Sequence, residues 1–217
     1  VSPADLLDLF RSEMSDWAEP FLWSDEEVYG YIDDAQKMFC RLTDGISDAT
    51  TEEVTQLQVD IGTTWLDTHP SILKIRDCYR TDTGRGVDVI NREDMATRRM
   101  FFDGVPGVLR ALVIGMEADK ARVYPDSSEA VTLQLTVFRL PLADVTESSQ
   151  TFEIAPEHHR HLLGWVKHLA YDKQDAETQD KKKSAEFEAA FRRYCTQSTD
   201  EERRKRHKPR AVAYGGL

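Results

Sequence analysis

The sequence predicts an α+β protein with a helical body of about four to five helices, an antiparallel β insert and an extended C-terminal arm. Apolar residues in the first and last thirds recur at the 3.6-residue spacing of a helix face. Those in the middle third alternate with the period of two that a half-buried strand requires. Beyond Ser198 the chain turns basic and holds too few apolar residues to build a core of its own.

The elements follow in order. Ser2-Pro3 offers an N-cap followed by proline at the first helical position, where the missing N–H costs nothing. Leu6, Leu7, Leu9 and Phe10 supply the apolar side of this first helix. Pro20 interrupts, and Ser24 with Glu27 has capping-box spacing, with Asp25 and Glu26 at the positive end of the coming helix dipole. Val28, Tyr31, Ile32, Ala35, Met38, Phe39 and Leu42 then mark one helix stripe, which Asp44-Gly45 ends.

The period changes at Leu57, Val59 and Ile61, which alternate with Gln58 and Asp60. Leu73, Ile75, Asp77 and Tyr79 are expected on one face of a strand, Thr83 to Gly86 forms a turn, and Val87 and Val89 resume the alternation. Val108 to Met116 is strand-like, Arg122 to Tyr124 is stopped by Pro125-Asp126, and Val131, Leu133, Leu135 and Val137 form the clearest period-two run. Short strands at close spacing with turn signals between them predict a compact antiparallel sheet or small sandwich. No βαβ rhythm is legible, which argues against a doubly wound nucleotide fold. Pro156 opens the return to helix, with Leu162, Leu163, Val166, Leu169 and Ala170 on a stripe. Asp180 is placed to cap a last helix carrying Ala185, Phe187, Ala190, Phe191 and Tyr194. The expected divisions are 1–53 for the N-terminal helices of the body, 54–139 for the β insert, 140–197 for its C-terminal helices and 198–217 for the basic arm.

Charge narrows the function classes. The 217 residues hold 28 Lys+Arg against 39 Asp+Glu, a net charge of −11, which speaks against a protein that coats duplex DNA. The charge is uneven: from Ser198 onward Arg203, Arg204, Lys205, Arg206, Lys208 and Arg210 outnumber Asp200, Glu201 and Glu202, so the arm is +3 and the remainder −14. Cys40, Cys78 and Cys195 are far apart and odd in number, so reduced thiols in a cytosolic setting are expected. No apolar run approaches the ~20 residues that span a bilayer, and no signal peptide is recognisable. No membrane partner and no cofactor are expected.

The residues offer three candidate chemistries. His158, His161 and His168, beside His159 and Glu157, have helix-face spacing that could gather a metal for hydrolysis. The simpler reading is a polar helix start with its histidines towards solvent. Cys40 and Cys78 lie in apolar patterns typical of small buried residues rather than nucleophiles. There is no Gly-x-Ser-x-Gly, P-loop or dinucleotide fingerprint, and no enzyme is expected. The basic run from Arg203 to Lys208 fits either phosphate contacts in a DNA-binding packaging accessory or a peptide arm that docks on a protein. Val212, Tyr214 and Leu217 would anchor such an arm, and they favour docking.

Arg11, Asp16, Pro20, Leu22 to Glu27, Tyr31-Ile32, Ala35 and Arg41 resemble the opening helices of head-to-tail adaptor (connector) proteins of tailed bacteriophages. Asp103 to Pro106, Tyr124 to Asp126 and Arg139 to Leu142 resemble that family's sheet insert. Phe152 to Pro156, Leu162-Leu163, Lys173 to Asp175 and Phe191 resemble its closing helices. The resemblance implies a structural virion protein, made in the host cytoplasm and placed in the capsid–tail neck. It implies a homo-oligomeric ring, commonly of twelve copies, that binds the portal and contacts downstream tail or neck proteins, with genome DNA only as passing cargo. By that resemblance the portal-binding residues are expected to be Arg203, Arg204, Lys205, Arg210, Val212, Tyr214 and Leu217.

Overall fold

Two capping boxes start the fold where local chemistry dictates. In the computed structural model Ser2 and Asp5 bond reciprocally at the start of α1 (Pro3–Met14), and Ser24 and Glu27 do the same for α2 (Asp25–Leu42). The structure describes residues 1–102, 104–147, 149–174 and 178–206, with Ala96 and Arg206 as backbone alone. The chain divides into two units, one from Val1–Thr43 with Ala143–Leu217 and the other from Asp44–Leu142.

The first unit is helical. After α1 and α2 come a 3-10 helix (Pro156–His161), α5 (Leu162–Asp172) and α6 (Lys181–Arg206), the labels α3 and α4 belonging to short helices of the other unit, Glu52–Thr55 and Arg92–Thr97. Asp180 caps α6 by accepting the Lys182 and Lys183 amides at 3.1 Å each. Leu6, Phe10, Val28, Ile32, Ala35, Leu162, Val166 and Ala170 are fully buried and form the centre of this unit. Polar edges of aromatic residues are satisfied inside it. Trp23 donates to the Ala170 carbonyl at 3.1 Å and Trp165 to the Asp34 carboxylate at 2.7 Å. The buried side of α2 also takes in Tyr29, Gln36 and Cys40, while Tyr31, Met38 and Leu42 are only half-buried. Gln36 is accommodated because its amide oxygen accepts the Glu153 N–H at 3.1 Å.

The second unit is an eight-stranded sheet: β1 (Ile46–Asp48), β2 (Gln56–Val59), β3 (Trp65–Asp67), β4 (Ile72–Arg80), β5 (Gly86–Asn91), β6 (Ala111–Ile114), β7 (Lys120–Tyr124) and β8 (Val131–Arg139). The order is β1-β8-β4-β5-β6-β7-β3, with β2 also on β8. Strands β1 and β2 meet β8 at opposite ends, residues 46–48 opposite 139–137 and residues 56–59 opposite 134–131. They are one edge interrupted by the excursion that holds α3. Only residues 60–64 separate β2 from β3, yet β3 ends the strand order, so the sheet curls round on itself. Its interior is filled by Leu57, Val59, Ile75, Cys78, Leu112, Val123, Leu133, Leu135 and Val137.

Four features depart from the sequence reading. Ile46–Asp48 is a strand rather than part of an N-terminal helical segment, and three residues are too few to show a period. Two β-bulges in β4 break the expected single face, so Ile75 and Cys78 point inward while Leu73 and Tyr79 are exposed. The pair β5–β6 is parallel, joined by a crossover that carries α4, so the sheet is mixed and does contain one β-α-β connection. That helix is a single charged stretch with Met95 as its buried contact, too short to advertise itself. Finally, the expected extended arm from residue 198 is corrected for residues 198–206, which are helix, and its remainder lies outside the described residues.

One glycine is required by the geometry. Gly45 turns the chain from α2 into β1 with φ +78°, and a Cβ there would meet the Arg139 carbonyl oxygen at 2.9 Å.

Candidate functional site

The expected site residues fall at the end of α6. Its buried stripe runs Ser184, Phe191, Cys195 and Ser198, so the helix is held along most of its length. The last turns project Arg203, Arg204 and Lys205 to solvent, with Lys205 bonded to Glu202 at 2.6 Å. Arg210, Val212, Tyr214 and Leu217 lie outside the described residues. The structure thus brings the first three basic residues together on one helix terminus. Positive charge there is favoured by the negative end of the helix dipole.

Inward from that terminus lies a ring cluster centred on Tyr194, which sequence reasoning placed on the helix without assigning it a role. His158 is hydrogen-bonded to the Tyr194 hydroxyl through Nδ1 at 2.8 Å and packs on Phe39 with ring centroids 4.6 Å apart. His161 stacks on Tyr194 at 3.6 Å. His159 is buried, with its nitrogens 2.8 Å from the Val1 carbonyl and 2.9 Å from that of Ile154. His168 instead meets the Ser184 hydroxyl at 2.9 Å. His158 and His161 thus share Tyr194 while His168 meets Ser184, and among the described residues no group of three His, Cys, Asp or Glu side chains is arranged to hold a metal ion. Of the histidines expected to face solvent, His161 is exposed, whereas His159 is buried and His158 and His168 are half-buried by these contacts.

Between α5 and α6, next to this cluster, runs a groove of about 270 Å³. Leu163, Gly164, Phe187, Ala190, Phe191 and Tyr194 line it, with Glu13, Arg160, His161 and Lys167 at its rim. Lys167 is paired with Glu13 and sits 5.0 Å from the Phe187 ring. Gly164 leaves room on the α5 side of the groove, since a Cβ there would come into contact with that of Phe191 at 3.5 Å. A glycine inside an apolar helix stripe is the sequence signal that could have pointed to it.

Burial sets the protonation of these groups. It lowers the pKa of His158 against the opposing pull of Glu157 and Glu202, and it lowers His161 together with the nearby Arg160 charge. Both rings are favoured neutral in the folded state. The stability they support is complete above the unfolded histidine value of about 6.5 and is lost as pH falls through their lower folded values. Thermal melts should show this decline between about pH 7 and pH 5, and the double variant His158→Gln, His161→Gln should flatten it; an unchanged slope would refute the assignment. Burial also pushes the Cys78 and Cys195 thiols up to about 12, which keeps both protonated and unreactive. Cys40 is buried as well.

A family model described as SU10 adaptor protein matches residues 3–213. The chain belongs to the SU10 adaptor protein family. That makes it a phage head-to-tail adaptor, and the match covers the helical unit, the sheet unit and the basic terminus alike. A search among curated proteins finds no match. Among the described residues no helix of this adaptor is long and apolar enough to cross a membrane.

Proposed function

We propose that this adaptor forms a closed ring of identical copies in the virion neck, docks on the portal through the end of α6 and the residues that follow it, and lets genome DNA pass through the ring. The observation that carries the reading is the long α6, which delivers Arg203, Arg204 and Lys205 as an exposed basic terminus directly ahead of Val212, Tyr214 and Leu217. In this reading residues 1–53 and 140–197 build the ring, 54–139 faces the tail side, and downstream tail or neck proteins meet that insert. A ring of one chain type needs two different, complementary faces that close after a full rotation. The −14 charge on residues before Ser198 suits a channel, because an acidic surface repels phosphate instead of trapping it.

The test is attachment to portal-containing heads. Removing residues 209–217 should leave a folded protein that no longer co-sediments with such heads. The triple variant Arg203→Ala, Arg204→Ala, Lys205→Ala should weaken attachment by about tenfold, and more steeply as salt rises. Normal occupancy of the truncated protein on heads would overturn the reading. Duplex DNA affinity at physiological salt that the triple variant abolishes would replace it with the packaging-accessory alternative.

A further inference from the structure

The groove and the segment beyond α6 share an order of chemistry. Going back along α6 beyond the basic Lys205, Arg204 and Arg203, the surface is next acidic and then apolar. Glu201, Glu202 and the adjacent Glu157 all act electrostatically on Lys205, and Glu201 and Glu157 also act on Tyr194. Tyr194, Ala190 and Phe187 of the groove come next. Going forward in sequence from Arg206, the chain is first basic, with Lys208 and Arg210, and then apolar, with Val212, Tyr214 and Leu217. We propose that the groove between α5 and α6 is a docking site for the chain's own residues 207–217, with Lys208 and Arg210 against the acidic belt and the three apolar side chains in the groove.

Distance supports this occupant. Along a helix rising 1.5 Å per residue, Tyr194 lies about 18 Å from Arg206, Ala190 about 24 Å and Phe187 about 28 Å. An extended chain of ~3.3 Å per residue brings Val212 about 20 Å, Tyr214 about 26 Å and Leu217 up to about 36 Å from the same point. A strand folded back antiparallel to α6 therefore presents its apolar residues where the groove begins and ends. Its basic residues fall over Glu201 and Glu157, both of which are exposed.

The consequence rests on the portal-docking reading of these same side chains: a segment held in the groove is withheld from the portal, so the two sites compete. Docking on the portal then requires release from the groove, which ties exposure of the arm to assembly.

The experiment uses the full chain without portal. Benzoylphenylalanine placed at Ala190, an exposed position in the groove, should on irradiation give a product of single-chain mass in which position 190 is joined to residues 211–217. A product of twice that mass would assign the groove to a second copy and overturn the proposal, as would the absence of any link to residues 207–217. An independent readout needs no change in the groove. Trypsin should cleave after Arg210 about tenfold faster in the Glu157→Lys, Glu201→Lys variant than in the wild type, because cleavage follows the released population; equal rates would overturn the proposal. Neither readout involves portal, so failure here leaves the portal reading standing, and loss of head attachment on truncation bears on that reading alone.

Discussion

Replacing Asp48 with alanine should destabilise the sheet unit by about 3–5 kcal/mol, the cost of removing one member of a buried ion pair. Arg139 donates through Nε to Asp48 Oδ2 at 2.6 Å, and both side chains are buried. Asp48 also accepts the Thr50 amide at 2.9 Å, the Thr51 amide at 3.1 Å and the Thr51 hydroxyl at 2.7 Å. One carboxylate thus fixes the end of β1, starts the excursion that carries α3 and neutralises the last residue of β8. Burial alone would raise its pKa, but the bonds from Thr50, Arg139 and Thr51 outweigh burial and hold the carboxyl well below the usual range. Its contribution is full above the unfolded value of about 4 and is lost as pH falls through the depressed folded value. Asp48→Asn keeps an oxygen for the threonines and should cost less than Asp48→Ala. Urea unfolding with amide exchange across β4 and β8 measures this, and a loss under about 1 kcal/mol would place the pair among the weak surface bridges.

The same residues show why some of the sheet was legible in the sequence and some was not. The run Val131 to Val137 reads as a strand because it covers seven of the nine residues of β8, and its alternate residues Val131, Leu133, Leu135 and Val137 all lie in the core. The capping boxes at Ser2 and Ser24 are legible because their partners are only three residues away. Strands β1 and β3 have three residues each and exist because β8 and β7 supply their partners. Nothing local could have announced them. In β4 the apolar alternation is real, but two bulges rotate the chain and exchange the faces, which only the pairing partner decides. The parallel β5–β6 pair is non-local in the same way.

For the candidate site the division is sharper. Charge counting isolates Arg203, Arg204 and Lys205 as a basic cluster but gives no conformation for them. Helix continues to Arg206 because the stripe Phe191, Cys195, Ser198 keeps its period past the point where composition turns polar. The histidines attracted attention as possible ligands, while the residue that organises two of them, Tyr194, lies some thirty residues downstream and has no local signature. Sequence spacing can bring side chains to one helix face. It does not say which face of another helix completes the contact.

That contact is most exposed to test at Phe191, whose replacement by alanine should cost the helical unit about 3–5 kcal/mol. Phe191 is 2% exposed. Its ring lies 5.4 Å from that of Trp165, and its Cβ would be 3.5 Å from a Cβ at Gly164. The loss combines removed apolar burial with a cavity that Gly164, lacking a side chain, has nothing to fill. Phe191→Leu keeps most of the volume and should recover more than half of the loss. Because α6 also carries the basic terminus, the alanine variant should lose attachment to portal-containing heads under conditions where Phe191→Leu retains it. Hydrogen exchange should locate the loosening in α5 and α6, leaving the strands of the sheet unit as protected as in the wild type. An alanine variant with an unchanged unfolding midpoint would show that α6 is held chiefly by its other contacts, the Tyr194–His158 hydrogen bond and the Ser184–His168 pair, and would move the keystone of the helical unit away from Phe191.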